Sequence, residues 1–257
     1  MQERQNPLKF MHLQERPSIG LWCSLGSALV AEVVAGAGPD WLLLDVEHSP
    51  NDLRSIVAQL QALGQYPLEP VVRLPSDSAV LIKQFMDAGA RSLMIPNVTS
   101  AQQAREVVAA MRYPPQGVRG VSAAHRANRF GRITDYHSRA QTHQLLAVQI
   151  ESAPAVTQAA EIAAVDGVDV LFVGPGDLAA NLGAMGNPED EQVQRAIRAV
   201  LVAARNAGKS PGILAQVRSQ AQRYAQMGFR MLAVGSDLGV LRAGSDELVQ
   251  AFGRHAT

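Results

Sequence analysis

Eight apolar runs of strand length recur between Ile19 and Val234, and stretches of helix length, alanine-rich or amphipathic, separate them. Strands are expected at Ile19–Leu25, Trp41–Asp45, Pro70–Leu74, Ser92–Ile95, Leu145–Ile150, Val168–Val173, Gly212–Leu214 and Met231–Val234. Strands joined through single crossover helices run parallel, and all their C-terminal ends lie on one edge. No composition break divides the 257 residues. The pattern therefore predicts one α/β domain over residues 1–257, a (β/α)8 TIM barrel, a fold of typically about 250 residues.

Helices are expected at Ser27–Gly36, from Asn51 onward with its side chain as cap, and at Asp77–Ala88, Ser100–Met111, Ser152–Gly167, Pro188–Ala207, Ser219–Met227 and Asp246–Phe252. A short helix at Leu8–Arg16, stopped by Pro17, precedes the first strand. Only Tyr113–Thr142 lacks the rhythm: it holds Pro114-Pro115, three glycines and the basic run Arg126–Arg132. Long aperiodic connections are usually functional, and this one is expected to border the active-site mouth.

A barrel places its chemistry at the C-terminal strand ends. Glu151 follows the fifth strand and Asp177 the sixth, so two carboxylates from neighbouring strands face each other. Such a pair raises a pKa or recruits a cation, and an all-oxygen pair suits Mg²⁺ or Mn²⁺. Asp45, Glu47 and His48 follow the second strand, Arg73 closes the third, Gln149 lies in the fifth and Ser236-Asp237 follow the eighth. A metal site, a base with near-neutral pKa and an anion clamp thus meet at one mouth. Gly174-Pro175-Gly176 offers unobstructed backbone amides, and Gly235-Ser236 lies where many barrels bind phosphate.

The lysines, Lys9, Lys83 and Lys209, all lie away from that edge, so no Schiff base is expected and a metal must serve as electron sink. Cys23, the single cysteine, sits in an apolar run and reads as core. Formal net charge is +0 with no basic stripe, which argues against nucleic acid and anionic membranes. The polar start and the lack of a bilayer-length apolar run make a cytoplasmic location the expectation.

The runs Asp40–Asp45 with Glu47-His48, Pro70–Arg73, Tyr113–Val121, His125–Asn128, Val148–Glu151, Val173–Pro175 with Asp177-Leu178, and Ala233–Asp237 resemble the HpcH/HpaI family of class II pyruvate aldolases. The resemblance extends from about Ile19 to Phe252, nearest to the 2-dehydro-3-deoxyglucarate aldolases and next to the 4-hydroxy-2-oxoheptanedioate aldolases. It implies a phosphoenolpyruvate/pyruvate-type barrel that reversibly cleaves a 4-hydroxy-2-oxo acid to pyruvate and an aldehyde, such as tartronate semialdehyde or succinate semialdehyde. Glu151 and Asp177 match the metal ligands, for Mg²⁺, Mn²⁺ or another divalent ion such as Co²⁺. His48 matches the general base, oriented by Asp87, and Arg73 the residue that stabilises the enolate. Gln149 and the Gly176 backbone match substrate contacts, Trp22 and Leu214 apolar pocket walls, and Asp45 a residue near the aldehyde end. The family further implies a homo-hexamer in which the C-terminal helix packs on a neighbour. Val46 and Gly176 depart from close relatives, where glycine and serine or alanine stand. A decarboxylase or carbon-carbon ligase on the same scaffold, and a metabolite-binding barrel without turnover, are the rival readings.

Overall fold

The structure, a computed structural model, describes residues 5–253. Eight parallel strands close into a barrel in chain order, with the last strand paired back onto the first. The strands are β1 Ser18–Cys23, β2 Trp41–Asp45, β3 Glu69–Arg73, β4 Ser92–Ile95, β5 Leu145–Ile150, β6 Val170–Val173, β7 Ser210–Leu214 and β8 Met231–Ser236. The helices are α1 Ala28–Ala35, α2 Leu53–Ala62, α3 Ala79–Asp87, α4 Ala101–Met111, α5 Tyr136–His143, α6 Ala153–Thr157, α7 Ala159–Ala163, α8 Pro175–Asn181, α9 Glu191–Asn206, α10 Arg218–Met227 and α11 Asp237–Gln250.

The alternation of side chains along a strand builds two separate cores. Leu42, Leu44, Val72, Val148, Ile150, Leu171 and Val173 point outward against the helices. Their neighbours Trp41, Leu43, Val71, Ala147, Phe172, Met231 and Ala233 fill the barrel. Gly20 makes that filling possible, because a Cβ there would lie 2.1 Å from the Trp41 ring. Following the inward row upward along β2, β3 and β5, the apolar residues give way to Asp45, Arg73, Gln149 and Glu151. The period that packs the core therefore also aims the polar groups.

The N-terminal turn, Pro7–Leu13, is 3₁₀ and not the expected longer helix. Leu8 and Met11 are buried in the interior cluster and plug the barrel from below. Asn6 ties the plug down by donating to Ser92 Oγ and the His143 carbonyl, at 2.8 and 3.0 Å.

Three expectations are corrected. Asp52, with Ser55, caps α2, while Asn51 donates to the Asp45 carbonyl at 2.7 Å and so braces the loop that follows β2. Residues 152–167 form two helices broken at Gln158, because that residue leaves helical geometry. The segment Tyr113–Thr142 does not border the mouth in this chain. It joins the end of α4 to the start of β5, and a helix-to-strand connection returns to the N-terminal edge of a barrel. There it lies on the end of α3, where Arg126 donates to the Ala88 carbonyl at 2.8 Å and Arg119 meets Asp87 at 2.6 Å. No helix among the described residues is long and apolar enough to cross a membrane.

Candidate active site

A cavity of about 330 Å³ opens at the C-terminal end of the barrel. Trp22, Asp45, His48, Arg73, Gln149, Glu151, Gly176, Asp177 and Leu214 all line it, so nine of the ten residues given a role by the family resemblance converge there. Asp87 is the exception. It closes α3 at the other end of the barrel, with Arg119 at 2.6 Å and His125 at 4.0 Å.

Arg73 lies directly opposite Asp45 in the β2–β3 register. Its Nε and Nη2 donate to the two Asp45 carboxylate oxygens at 2.9 and 2.7 Å, a planar fork that lysine cannot reproduce. Nη1 meets Glu47 Oε2 at 2.8 Å, and the guanidinium carbon lies 5.1 Å from the Trp22 ring. Both carboxylates and the cation are largely withdrawn from water. Burial pulls the Asp45 pKa upward, but the hydrogen bonds and charge of Arg73 outweigh it and hold the group below its ordinary value. Burial lifts Glu47 above its ordinary range against the pull of Arg73 and His48.

Glu151 is buried just beyond β5, and its pKa is pushed up to about 7 by burial, then by the charges of Asp177 and Glu47. Gln149 donates its side-chain amide to Glu151 Oε1, and the Asn97 backbone N–H reaches Oε2 at 3.2 Å. Asn97 makes this contact from the left-handed region, φ 54°. Gly174 comes so close that a Cβ there would lie 2.5 Å from Glu151 Oε1. Asp177 sits in the first turn of α8, a helix absent from those expected above. The proline at its first position is a helix starter, and that was the available signal.

This donor set fits a hard divalent cation. Two carboxylates share one cavity, and burial, then the charges of Asp177 and Glu47, push Glu151 toward its neutral form, a strain that added positive charge would relieve. Among the described residues no third histidine, cysteine or acid joins them in a metal-binding group. Mg²⁺-type sites commonly use one or two carboxylates and leave the other positions to substrate and water. Gln149 Oε1 is also buried without a hydrogen-bond partner, an unused acceptor on a side chain that lines the cavity.

His48 stands on the loop after β2 with its side chain 68% exposed, and its Nε2 lies 3.9 Å from Glu47 Oε1. Val46, where close relatives carry glycine, is built into this loop. Its N–H donates to the Arg73 carbonyl at 2.9 Å, its side chain packs on the outer core, and its φ is negative. Gly176 has open space where a Cβ would project. Cys23 is buried and its pKa is pushed up to about 12 by burial and by Asp237, which leaves an inert thiol. No lysine lines the cavity.

Four lining residues were not anticipated from the sequence: Ser24, Phe172, Gln216 and Leu238. Phe172 was legible in principle, because it shares the inward row of β6. Asn97 and Glu47 support the site from behind, and Asn97 follows a strand end where asparagine tolerates a left-handed turn.

Residues 18–243 match the family described as HpcH/HpaI aldolase/citrate lyase. A 4-hydroxy-2-oxo-heptane-1,7-dioate aldolase of Salmonella dublin is 48% identical over 239 residues, covering 93% of this chain and 91% of the relative. One of the same name from Shigella sonnei is 45% identical over 254 residues, covering 98% and 97%. The crystal structure of an HpcH/HpaI aldolase/citrate lyase family protein from Burkholderia cenocepacia superposes with a TM-score of 0.94 at 40% identity, over 97% of this chain and 100% of that one. The Salmonella dublin and Shigella sonnei relatives carry the second of the two aldolase names that the sequence resembles.

Proposed function

The chain belongs to the HpcH/HpaI aldolase/citrate lyase family, and from that premise we propose that it is a divalent-metal-dependent pyruvate aldolase. The substrate that the named relatives favour is 4-hydroxy-2-oxoheptanedioate, cleaved reversibly to pyruvate and succinate semialdehyde. A 2-dehydro-3-deoxyglucarate-type substrate, giving tartronate semialdehyde, is the second reading because the same residues recognise the oxo-acid end of both.

The observation that carries the reaction class is the meeting of Arg73, Gln149, Glu151, Asp177 and His48 around one cavity. Glu151 and Asp177 would hold the cation, Mg²⁺ or Mn²⁺. When bound, it would supply Lewis acidity that stabilises negative charge developing on the oxo acid. Arg73, clamped in place, directs its remaining N–H donors at the developing enolate oxygen. His48 takes the C4 hydroxyl proton, the C3–C4 bond breaks, and the aldehyde leaves as its new carbonyl forms. Protonation of the enolate at C3 then gives pyruvate. Trp22, Phe172 and Leu214 surround the reacting carbons with apolar surface, and the Gly176 backbone and Gln149 orient the oxo acid.

Oligomer formation belongs to the same reading. Leu238, Val240, Leu241, Leu248 and Val249 on α11 are exposed, which suits a C-terminal helix packed on a neighbour in a homo-hexamer. An orienting role for Asp87 toward His48 is compatible with this fold only between subunits. The deciding experiment is a cleavage assay with 4-hydroxy-2-oxoheptanedioate, with and without a chelator. Pyruvate and succinate semialdehyde should appear in equal amounts and stop appearing after chelation. Carbon dioxide as the partner of pyruvate, or full activity after exhaustive EDTA, would overturn the reading.

A further inference from the structure

We infer that Glu47 is a positioning residue that holds Arg73 and His48 in working relation during the aldol reaction; the inference rests on that reaction being the one catalysed. Glu47 does not line the cavity, although Asp45 and His48, its neighbours on the same loop, both do. Its side chain is only 20% exposed, and its two oxygens point at two different functional groups. Oε2 lies 2.8 Å from Arg73 Nη1, and Oε1 lies 3.9 Å from His48 Nε2. Among the described residues no other carboxylate comes within 4 Å of that ring.

A guanidinium has five N–H donors in one plane. Asp45 takes those of Nε and one of Nη2, and Glu47 Oε2 lies 2.8 Å from Nη1 as an ion-pair partner that accepts no aligned hydrogen bond. Three donors remain, one on Nη2 and two on Nη1, and they belong to a side chain that lines the cavity. Asp45 alone grips one edge of the plane and leaves the edge that carries Nη1 without a counter-charge. With Glu47 beside Nη1, the guanidinium is held by charge on both edges while its spare donors stay at the cavity wall. The Glu47 N–H in turn donates to Asp45 Oδ1 at 3.0 Å, so the two pinning carboxylates are locked to each other through the loop that carries His48. The anion clamp and the base are thereby tied to one short segment.

The test uses the full chain loaded with Mn²⁺ and compares wild type, Glu47→Ala and Glu47→Gln, with thermal melts to establish that each variant is folded. Three quantities are read: exchange of the pyruvate methyl hydrogens for deuterium, the apparent KM for pyruvate in that exchange, and inhibition by oxalate, a planar mimic of the enolate. Misplacing a reacting group by an ångström costs about a hundredfold, so exchange in Glu47→Ala should fall by about tenfold to a hundredfold. Oxalate inhibition should weaken in parallel, while KM changes by less than about threefold, the pattern of an interaction made chiefly in the transition state. Glutamine keeps a carbonyl oxygen beside Nη1, so Glu47→Gln should recover most of the loss. Equal impairment of the two folded variants, or wild-type exchange and oxalate inhibition in Glu47→Ala, overturns the inference. A folded wild type that neither exchanges pyruvate hydrogens nor cleaves the hydroxy-oxo acid overturns the proposed reaction itself, and the inference with it.

Discussion

Asp45 and Arg73 sit opposite each other on adjacent parallel strands, and the carboxylate takes two guanidinium hydrogens at 2.9 and 2.7 Å inside the barrel rim. Removing one member of a buried pair leaves the other charge stranded, at a cost of about 3–5 kcal/mol. Arg73→Ala should therefore lower stability by that order, measured by denaturant unfolding. Arg73→Lys keeps the charge and should be milder in stability. It should still lose about a hundredfold in turnover, because an ammonium cannot donate twice to Asp45 and also to an enolate in one plane.

The His48 ring makes its closest carboxylate contact at 3.9 Å and supplies neither oxygen ligands nor a structural bond to Glu151. His48→Ala is expected to reduce cleavage by about 10²–10⁴-fold, the usual contribution of a general base. Its Mn²⁺ affinity, followed by titration of the paramagnetic signal, should stay within about twofold of wild type. Parallel losses in both would remove His48 from the base role.

Gly174 and Gly176 flank the same proline but should respond differently to a methyl group. At Gly174 the added Cβ would lie 2.5 Å from Glu151 Oε1, whereas at Gly176 nothing lies within 4 Å. Displacing a ligand's support typically costs about 10–100-fold in metal affinity, and Gly174→Ala should fall in that range. Gly176→Ala should bind Mn²⁺ almost as the wild type does. Calorimetric titration of both variants separates a crowded ligand from an open rim.

Glu151 carries a pKa of about 7 in the folded chain against an ordinary value of 4.5. Between those two values the folded state holds more protons than the unfolded state. The stability of the metal-free protein should accordingly fall as pH rises from about 4.5 to about 7, by roughly 3 kcal/mol in total from this group. A cation must displace the same proton, so Mn²⁺ should raise the melting temperature little at pH 5.5 and much more at pH 8. An equal rise at both values would show that Glu151 is not a ligand.

Much of the site could be read in one dimension because a barrel strand obeys a simple period. The runs at 41–45, 92–95 and 145–150 are strands as expected, and the inward parity that buries Leu43 and Ala147 also brings Asp45 and Gln149 inward. Elements that do not bury a continuous apolar face were harder to see. Helix α5, Tyr136–His143, buries only Tyr136, Ala140 and His143 and is otherwise polar. Helix α11 begins nine residues before the expected Asp246, with Gly239 and Gly244 inside it and only Asp237 buried. Its apolar residues face outward, so no periodic stripe marks it.

Strand order, parallel direction and the edge on which Glu151 and Asp177 emerge follow from local pattern, since alternation and crossover handedness are properties of neighbouring residues. Closure of the barrel decided the rest. It set Arg73 opposite Asp45 and within reach of Glu47, sent the 113–142 segment to the far end, and separated Asp87 from His48. Those are distances between groups far apart in the chain, and only the packed strands and helices determine them.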